Sequence, residues 1–339
     1  MTAGRLRRGL HDLWESGGSG GAGKVALGLL APAELPFRLA VAARNARYER
    51  EPAPPTPIPV VSVGNLTVGG TGKTPVVRWL AEWFRGAGVP AAIVVRGYGA
   101  DEVALYRRWF GDGAVFVGRD RIALVDAAAA RGHRLALLDD GFQHRRLRRA
   151  LDLLLVAAED PWPVRMLPRG PYREPLASAA RATHLLVTRR TACRETVATW
   201  RERLRGAAPG VPGQVAELRM GGWRDLAGST AEAPAGDILA VASIARPQAF
   251  LAGLEALLPG VRAELAGFAD HHVYTARDVA DLLGRRGDRT VVCTGKDAVK
   301  LASFPEMRPH CVVVGFRVAG EPQEPLRSAL AEVGGCASR

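Results

Sequence analysis

The sequence predicts an α/β protein: a mostly parallel sheet with helices on both faces, then a smaller C-terminal α/β domain. Two observations predict it. Apolar runs without polar alternation recur at 59–63, 91–95, 114–117, 135–138, 151–156 and 184–187, and helix-like stretches such as 74–85 and 120–131 lie between them. Strands with no polar face are covered on both sides, and parallel pairing needs crossovers of this length. A second set follows at 238–242, 290–294 and 311–314, with helices near 248–258 and 276–284.

The first run leads into the main motif. Residues 60–74 read Val-Val-Ser-Val-Gly-Asn-Leu-Thr-Val-Gly-Gly-Thr-Gly-Lys-Thr, with Pro75 and a helical pattern after them. A strand, a glycine-rich turn and a helix N-terminus together make a phosphate cradle, because backbone amides and the helix dipole converge on one anion. Gly69, Gly70, Thr71, Gly72, Lys73 and Thr74 are the candidate nucleotide-binding residues. Lys73 would neutralise β/γ-phosphate charge, and the Thr74 hydroxyl would ligate Mg²⁺. A strict Walker A motif has glycine where this chain has Thr67. Pro75 suits a first helical turn, where its missing N–H is not needed. This places the sheet among the P-loop NTPase-type folds. A literal GxxxxGK also occurs at 18–24, but Val25 follows it and no apolar run precedes it. That stretch is expected to be a flexible linker.

Residues 135–140 form an apolar run that ends in Asp139 and Asp140. Carboxylates at the C-terminal edge of a strand beside a P-loop hold magnesium, so both are candidate metal residues; a turn role for Asp140 before Gly141 stays open. Gln143 and His144 follow at once. The cluster Arg145–Arg149 either grips a second anion or is a solvated surface. Asp101, after Arg96-Gly-Tyr-Gly99, is a candidate base for an acceptor hydroxyl, with a plain surface acid as the alternative. Asp112 is the fallback. Of His271 and His272, at most one is expected to face a site.

These segments, with Pro-Arg-Gly-Pro-Tyr-Arg-Glu-Pro-Leu at 168–176, Phe-x-Asp-His at 268–271 and Thr-x-Lys-Asp-Ala-Val-Lys at 294–300, resemble the tetraacyldisaccharide 4′-kinase family, the lipid A 4′-kinases of Gram-negative bacteria. The resemblance implies transfer of the ATP γ-phosphate to the 4′-hydroxyl of a tetraacylated disaccharide 1-phosphate, with ATP and Mg²⁺ as cofactors. It implies Asp101 as the base with His271 as its partner, and Lys73 as a catalytic cation. Tyr98, Gln143, His144, Arg169 and Arg173 become substrate-side candidates. It also implies a peripheral protein at the cytoplasmic face of the inner membrane. The chain departs from the family pattern in a shortened stretch before Asp101 and in Gly295, where an acid is usual.

Composition narrows the other classes. Lys and Arg outnumber Asp and Glu by 46 to 34, a net charge of +12, which favours polyanionic partners or an anionic membrane surface. Aromatics at 6% and the lack of a nucleic-acid motif argue against a nucleic-acid partner. Cys193, Cys293, Cys311 and Cys336 are far apart, which points to a reducing compartment. No run reaches the ~18 apolar residues of a spanning helix. Residues 25–50, apolar with interleaved arginines, are expected to form a helix that starts cleanly near Glu34, either on the membrane interface or packed on the core. The expected organisation is a basic segment with the interface helix (1–50), the P-loop kinase domain (51–205), a linker (206–237) and a smaller α/β domain (238–339), in a monomer. The competing function is a P-loop ATPase or GTPase switch that needs no sugar acceptor.

Overall fold

The computed structural model describes residues 10, 13–14, 20–97 and 99–336. Eleven strands are present among them: β1 (Val60–Asn65), β2 (Ala91–Val95), β3 (Val115–Val117), β4 (Leu135–Asp139), β5 (Leu151–Ala157), β6 (His184–Arg189), β7 (Gly213–Asp225), β8 (Ile238–Ala242), β9 (Ala263–Gly267), β10 (Thr290–Thr294) and β11 (Cys311–Val318). The α-helices are α1 (Gly21–Leu29), α2 (Ala31–Arg50), α3 (Lys73–Gly86), α4 (Ala100–Phe110), α5 (Arg121–Ala130), α6 (Arg194–Ala207), α7 (Pro247–Leu257), α8 (Ala276–Arg286), α9 (Gly295–Leu301) and α10 (Leu326–Gly334). The chain divides into two compact units. The larger comprises Met1–Arg96, Phe116–Glu217 and Gly320–Arg339, and the smaller comprises Gly97–Val115 and Leu218–Ala319.

The sheet of the larger unit runs β3-β2-β4-β1-β5-β6-β7, and its pairs from β2 through the start of β7 are parallel. Every residue of β1, β4 and β5 is buried, as strands without polar alternation require. One face carries a cluster of Val60, Ala92, Val94, Ala136 and Leu138 with Val125 and Ala128 of α5. Another cluster joins Leu154, Val156, Leu185 and Val187 to Trp200 and Leu204 of α6. The register pairs Val63 of β1 with Asp139 of β4, so the two central strands end side by side. In open parallel sheets, ligand sites lie beyond such carboxyl ends.

In the smaller unit the later part of β7 pairs antiparallel with β11, and β11, β10, β8 and β9 continue in parallel. Leu239, Val241, Val291, Cys293, Val279 and Leu282 form one of its cores.

Three expectations change here. Of the literal GxxxxGK at 18–24, expected as a flexible linker, residues 18 and 19 lie outside the described residues and residues 21–24 open α1. The helix expected to start near Glu34 starts at Ala31. Pro32 falls in its first turn, where no N–H is required, and Pro36 removes only one bond of a 20-residue helix. Segment 206–237, expected as a linker, contains the 13-residue β7, whose first residues pair with β6 and whose later ones pair with β11. Its glycines suggested loop, but both neighbouring strands supply ladder partners. Segment 97–115, which includes α4, groups with the C-terminal residues rather than with the strands that flank it in sequence.

Candidate active site

The phosphate loop connects β1 to α3. Gly72, the residue before α3, has φ 90°, a left-handed conformation that glycine adopts without strain. Gly69 is likewise at positive φ. Thr67 is not, and this explains why the loop does without the Walker glycine there. It sits in an antiparallel bridge to Tyr172, and its hydroxyl accepts from Asn65 Nδ2 at 3.2 Å. The loop is held from outside by its carbonyls. Arg190 Nη2 donates to the Gly70 carbonyl at 2.6 Å and the Thr188 hydroxyl donates to the Thr71 carbonyl at 2.8 Å, while Val68 N donates to the Pro171 carbonyl at 2.8 Å. An anchored, glycine-rich loop at a helix N-terminus has the makings of an anion site.

Lys73 Nζ donates to Asn65 Oδ1 at 3.1 Å and lies 3.6 Å from Asp140 Oδ1. Asp140 has φ 53°, so a left-handed backbone turns its carboxylate out of the strand end. Arg173 meets that carboxylate with two bonds, Nη1 at 3.1 Å and Nη2 at 2.9 Å, and Nη2 also contacts Asn65 Oδ1. Burial would raise the Asp140 pKa, but the charges of Lys73 and Arg173 prevail and hold it well below the usual carboxylate range. Arg121, buried, donates to the Asp140 carbonyl at 2.9 Å. Asp139 is buried at the end of β4. Two carboxylates and the buried Thr74 hydroxyl make a hard-oxygen donor set, and that chemistry fits Mg²⁺ shared with a polyphosphate.

The other predicted residues of this unit fall into two groups. Gln143 donates from Nε2 to the Asn65 carbonyl at 2.9 Å, which ties the Asp-Asp-Gly-Phe-Gln-His turn to β1. Gln143 Oε1 and His144 Nε2 are buried without a hydrogen-bond partner among the described residues. Burial and the neighbouring Arg121, Arg149 and Arg146 push the His144 pKa down to about 4, so it is neutral at pH 7. Arg173 joins the cradle. Arg169 does not: it pairs with Glu34 of α2 at 3.4 Å. Within the arginine cluster, Arg149 bonds the carbonyls of Gly141, Phe142 and His144, and Arg145 bonds that of Asn45. Both brace the backbone. Tyr98 lies outside the described residues.

A second constellation belongs to the smaller unit. Asp101, near the start of α4, is buried and lies 2.9 Å from His271 Nδ1 through Oδ1 and 3.1 Å through Oδ2. Gly99 makes room for the pair, since a Cβ there would stand 2.6 Å from Asp101 Oδ1 and 2.7 Å from His271 Cε1. His271 reaches this place with φ 59°, and its N–H bonds the Ser243 carbonyl at 3.1 Å. Burial opposes ionisation of Asp101, but the His271 bond and the charges of His271, Lys296 and Lys300 lower its pKa to about 2. The same bond to Asp101 raises the His271 pKa against burial. His272 turns away, to Asp278 at 3.1 Å. The fallback acid Asp112 is 87% exposed at its side chain and pairs with Arg107, not with a histidine.

Asn65 and Arg121 are site residues that the motif reading passed over. Asn65 lay within the quoted Val-Gly-Asn-Leu-Thr run, so a signal was there. Arg121 had none, being one arginine among many.

The profile of the family described as tetraacyldisaccharide-1-P 4′-kinase matches residues 26–334. The chain belongs to this family. Among proteins named tetraacyldisaccharide 4′-kinase, that of Anaeromyxobacter dehalogenans (strain 2CP-1) is 38% identical, covering 86% of this chain and 86% of the relative. That of Halorhodospira halophila is 36% identical over 82% of this chain and 84% of the relative. The fold is that of LpxK from Aquifex aeolicus, whose "apo" form was crystallised in complex with ATP: TM-score 0.71 and 24% identity, covering 91% of this chain and 99% of that one. The P-loop NTPase-type sheet expected from the motifs is therefore the fold observed, and the family assignment places the chain among kinases rather than switch ATPases. No single described helix is long and apolar enough to cross a membrane. The pair α1 and α2, bent by 44°, reaches that length and composition only together.

Proposed function

We propose that this chain transfers the γ-phosphate of ATP to the 4′-hydroxyl of a tetraacylated glucosamine disaccharide 1-phosphate, giving the 1,4′-bisphosphate. The observation that carries this is the approach of Lys73 to Asp140 at the joined ends of β1 and β4, in a member of the tetraacyldisaccharide-1-P 4′-kinase family.

In this reading the amides of Gly69–Thr74 and the Lys73 ammonium bind the β- and γ-phosphates. Thr74, Asp139 and Asp140 would hold Mg²⁺, which when bound withdraws charge from the phosphate oxygens. Arg173 orients Asp140 and adds a further positive charge. Asp101 accepts the proton of the acceptor hydroxyl, and His271 fixes the orientation of that carboxylate. As the hydroxyl oxygen bonds to the γ-phosphorus, the bond from phosphorus to the β,γ-bridging oxygen breaks and ADP leaves. Gln143 and His144 serve the substrate side of the cradle, and Arg169 supports α2.

The acceptor's acyl chains keep it in a bilayer, so the enzyme works at an anionic membrane surface. Val25, Leu29, Leu35 and Leu39 of α1 and α2 are exposed large apolar side chains, and Arg38, Arg44, Arg47 and Arg50 share α2 with them. Such helices lie in the interface, where each basic residue adds on the order of 1 kcal/mol near an anionic leaflet.

The test is transfer from labelled ATP to detergent-dispersed disaccharide 1-phosphate by the wild type, Lys73→Ala, Asp101→Ala and His271→Ala. The wild type should label the acceptor and each variant should lose most turnover. A wild type that hydrolyses ATP without labelling the acceptor would exclude the proposal.

A further inference from the structure

The run Thr-x-Lys-Asp-Ala-Val-Lys at 294–300 has no role in the reaction described so far, yet it forms α9 beside α4 and the acid pair. Thr294 caps α9 by accepting from Asp297 N at 3.2 Å. Lys296 and Lys300 stand one turn apart, on the same face. Lys296 Nζ binds Glu102 at 2.5 Å, and Lys300 Nζ lies 3.4 Å from Asp101 Oδ2. The chain has only four lysines among its 46 basic residues, and two of them are here. Lysine is a compact point charge that can share one carboxylate oxygen, where a guanidinium fork would occupy the whole group.

Lys300 is itself positioned. Its Nζ donates to Ser243 Oγ at 2.5 Å and passes 5.5 Å above the Tyr274 ring. Beneath them is Asp297, fully buried. Its carboxylate accepts from Ser243 N at 3.0 Å, from the Ser243 hydroxyl, from the Tyr274 hydroxyl at 2.8 Å and from the Thr294 hydroxyl at 2.6 Å. Lys300 stands farther off, at 3.6 Å. Asp297 is therefore satisfied by neutral donors and does not depend on Lys300. The closer carboxylate contact of Lys300 is the one to Asp101.

We propose that Lys300, seated on Ser243 and the buried Asp297, is a positioning residue that holds Asp101 as an oriented anion against His271. The inference rests on the reading of Asp101 as the base. The groups facing Asp101 are His271 and Asp270 from the loop, Lys296, Asp297 and Lys300 from α9, Ser243 and Tyr274 beyond Lys300, and Glu102 on its own helix. Among these, His271 and Lys300 are the side chains that contact the carboxylate, which also accepts from Glu102 N at 2.9 Å. Without Lys300 the carboxylate loses a charge partner, takes up a proton more readily and rotates more freely.

The experiment measures kcat, KM for ATP and the pH dependence of kcat for Lys300→Met, Lys300→Arg and Asp101→Asn, with unfolding midpoints for each. Lys300→Met should lower kcat roughly 30-fold with KM for ATP nearly unchanged, and move the acid limb of the profile up by about one pH unit. Lys300→Arg keeps the charge, so the acid limb should stay near its wild-type position, but only part of the rate should return because the guanidinium fork crowds the carboxylate. Ser243→Ala, which shifts Lys300 without removing it, should fall between them and serves if Lys300→Met does not fold. A wild-type rate and profile in Lys300→Met, beside an inactive Asp101→Asn, would overturn the role of Lys300 alone. A slower Lys300→Met with an unmoved profile and a lowered midpoint would overturn it in favour of plain packing. Full activity in Asp101→Asn would instead remove the base assignment itself.

Discussion

The phosphate cradle of the larger unit and the acid–histidine pair of the smaller one each set a carboxylate among cations, but the balance of charge differs. Around Asp140 and Asp139 stand Lys73, Arg173 and Arg121, which together outweigh the two acids. Around Asp101 the lysines Lys296 and Lys300 are outnumbered by Asp101 itself, Glu102 and the neighbouring Asp297. A surplus of positive charge suits a site that receives a polyanion with its metal. A hydrogen-bonded cluster without that positive surplus suits one that moves a single proton. Both carboxylates have lowered pKa values, and in the proposed reaction the first stays ionised beside phosphate while the second is held in place.

Substitutions test this contrast, and the largest effect belongs to the cradle. Lys73→Ala removes the ammonium that the loop sets beside Asp140, and phosphoryl transfer should fall about 10³-fold, read as label moved from ATP to glycolipid. Asp101→Asn keeps the shape of the pair but removes its charge, so kcat should fall about 10²- to 10³-fold while binding of ATP with magnesium is retained. Gly99→Ala sharpens the same point by steric means, because its Cβ must displace Asp101 or His271. Its kcat should drop at least about tenfold, with a stability loss of about 1–2 kcal/mol seen in the denaturation midpoint.

The pH dependence of stability offers a smaller, signed effect. The Asp101 pKa is depressed in the folded chain, from 3.8 to about 2. Its contribution is present above the unfolded value and is lost as pH falls through the folded one. The stability of the wild type relative to Asp101→Asn should therefore fall by about 2 kcal/mol between about pH 4 and pH 2 in acid-unfolding curves. The smallest effect is at the interface helices. Leu35→Asp with Leu39→Asp should weaken sedimentation with anionic vesicles about tenfold and leave ATP binding unchanged.

How legible each site was in the sequence follows from how it is built. The cradle is two contiguous motifs on adjacent strands, and strand–loop–helix order alone brings Gly69–Thr74 beside Asp139 and Asp140. The acid–histidine pair and its lysine are drawn from α4, from the loop before Thr275 and from α9, with His271 and Lys300 170 and 199 positions from Asp101. No local pattern links Asp101, His271 and Lys300; Asp101 stands out as a candidate base from its own segment, the resemblance to a family pairs it with His271, and neither assigns the lysine. Arg169 and Arg173 share one motif, and only packing shows that the first faces Glu34 and the second Asp140. The strand within 206–237 was hidden by its composition, since its stability comes from partners on either side rather than from its own apolar residues.

The division of labour between the two sites is tested most directly by titrating ATP with magnesium, calorimetrically, into the wild type, Asp140→Asn, Lys73→Ala and Asp101→Asn. The account predicts binding weakened at least about tenfold in the first two variants and unchanged in Asp101→Asn. Wild-type affinity in Asp140→Asn and Lys73→Ala, or its loss in Asp101→Asn alone, would contradict it.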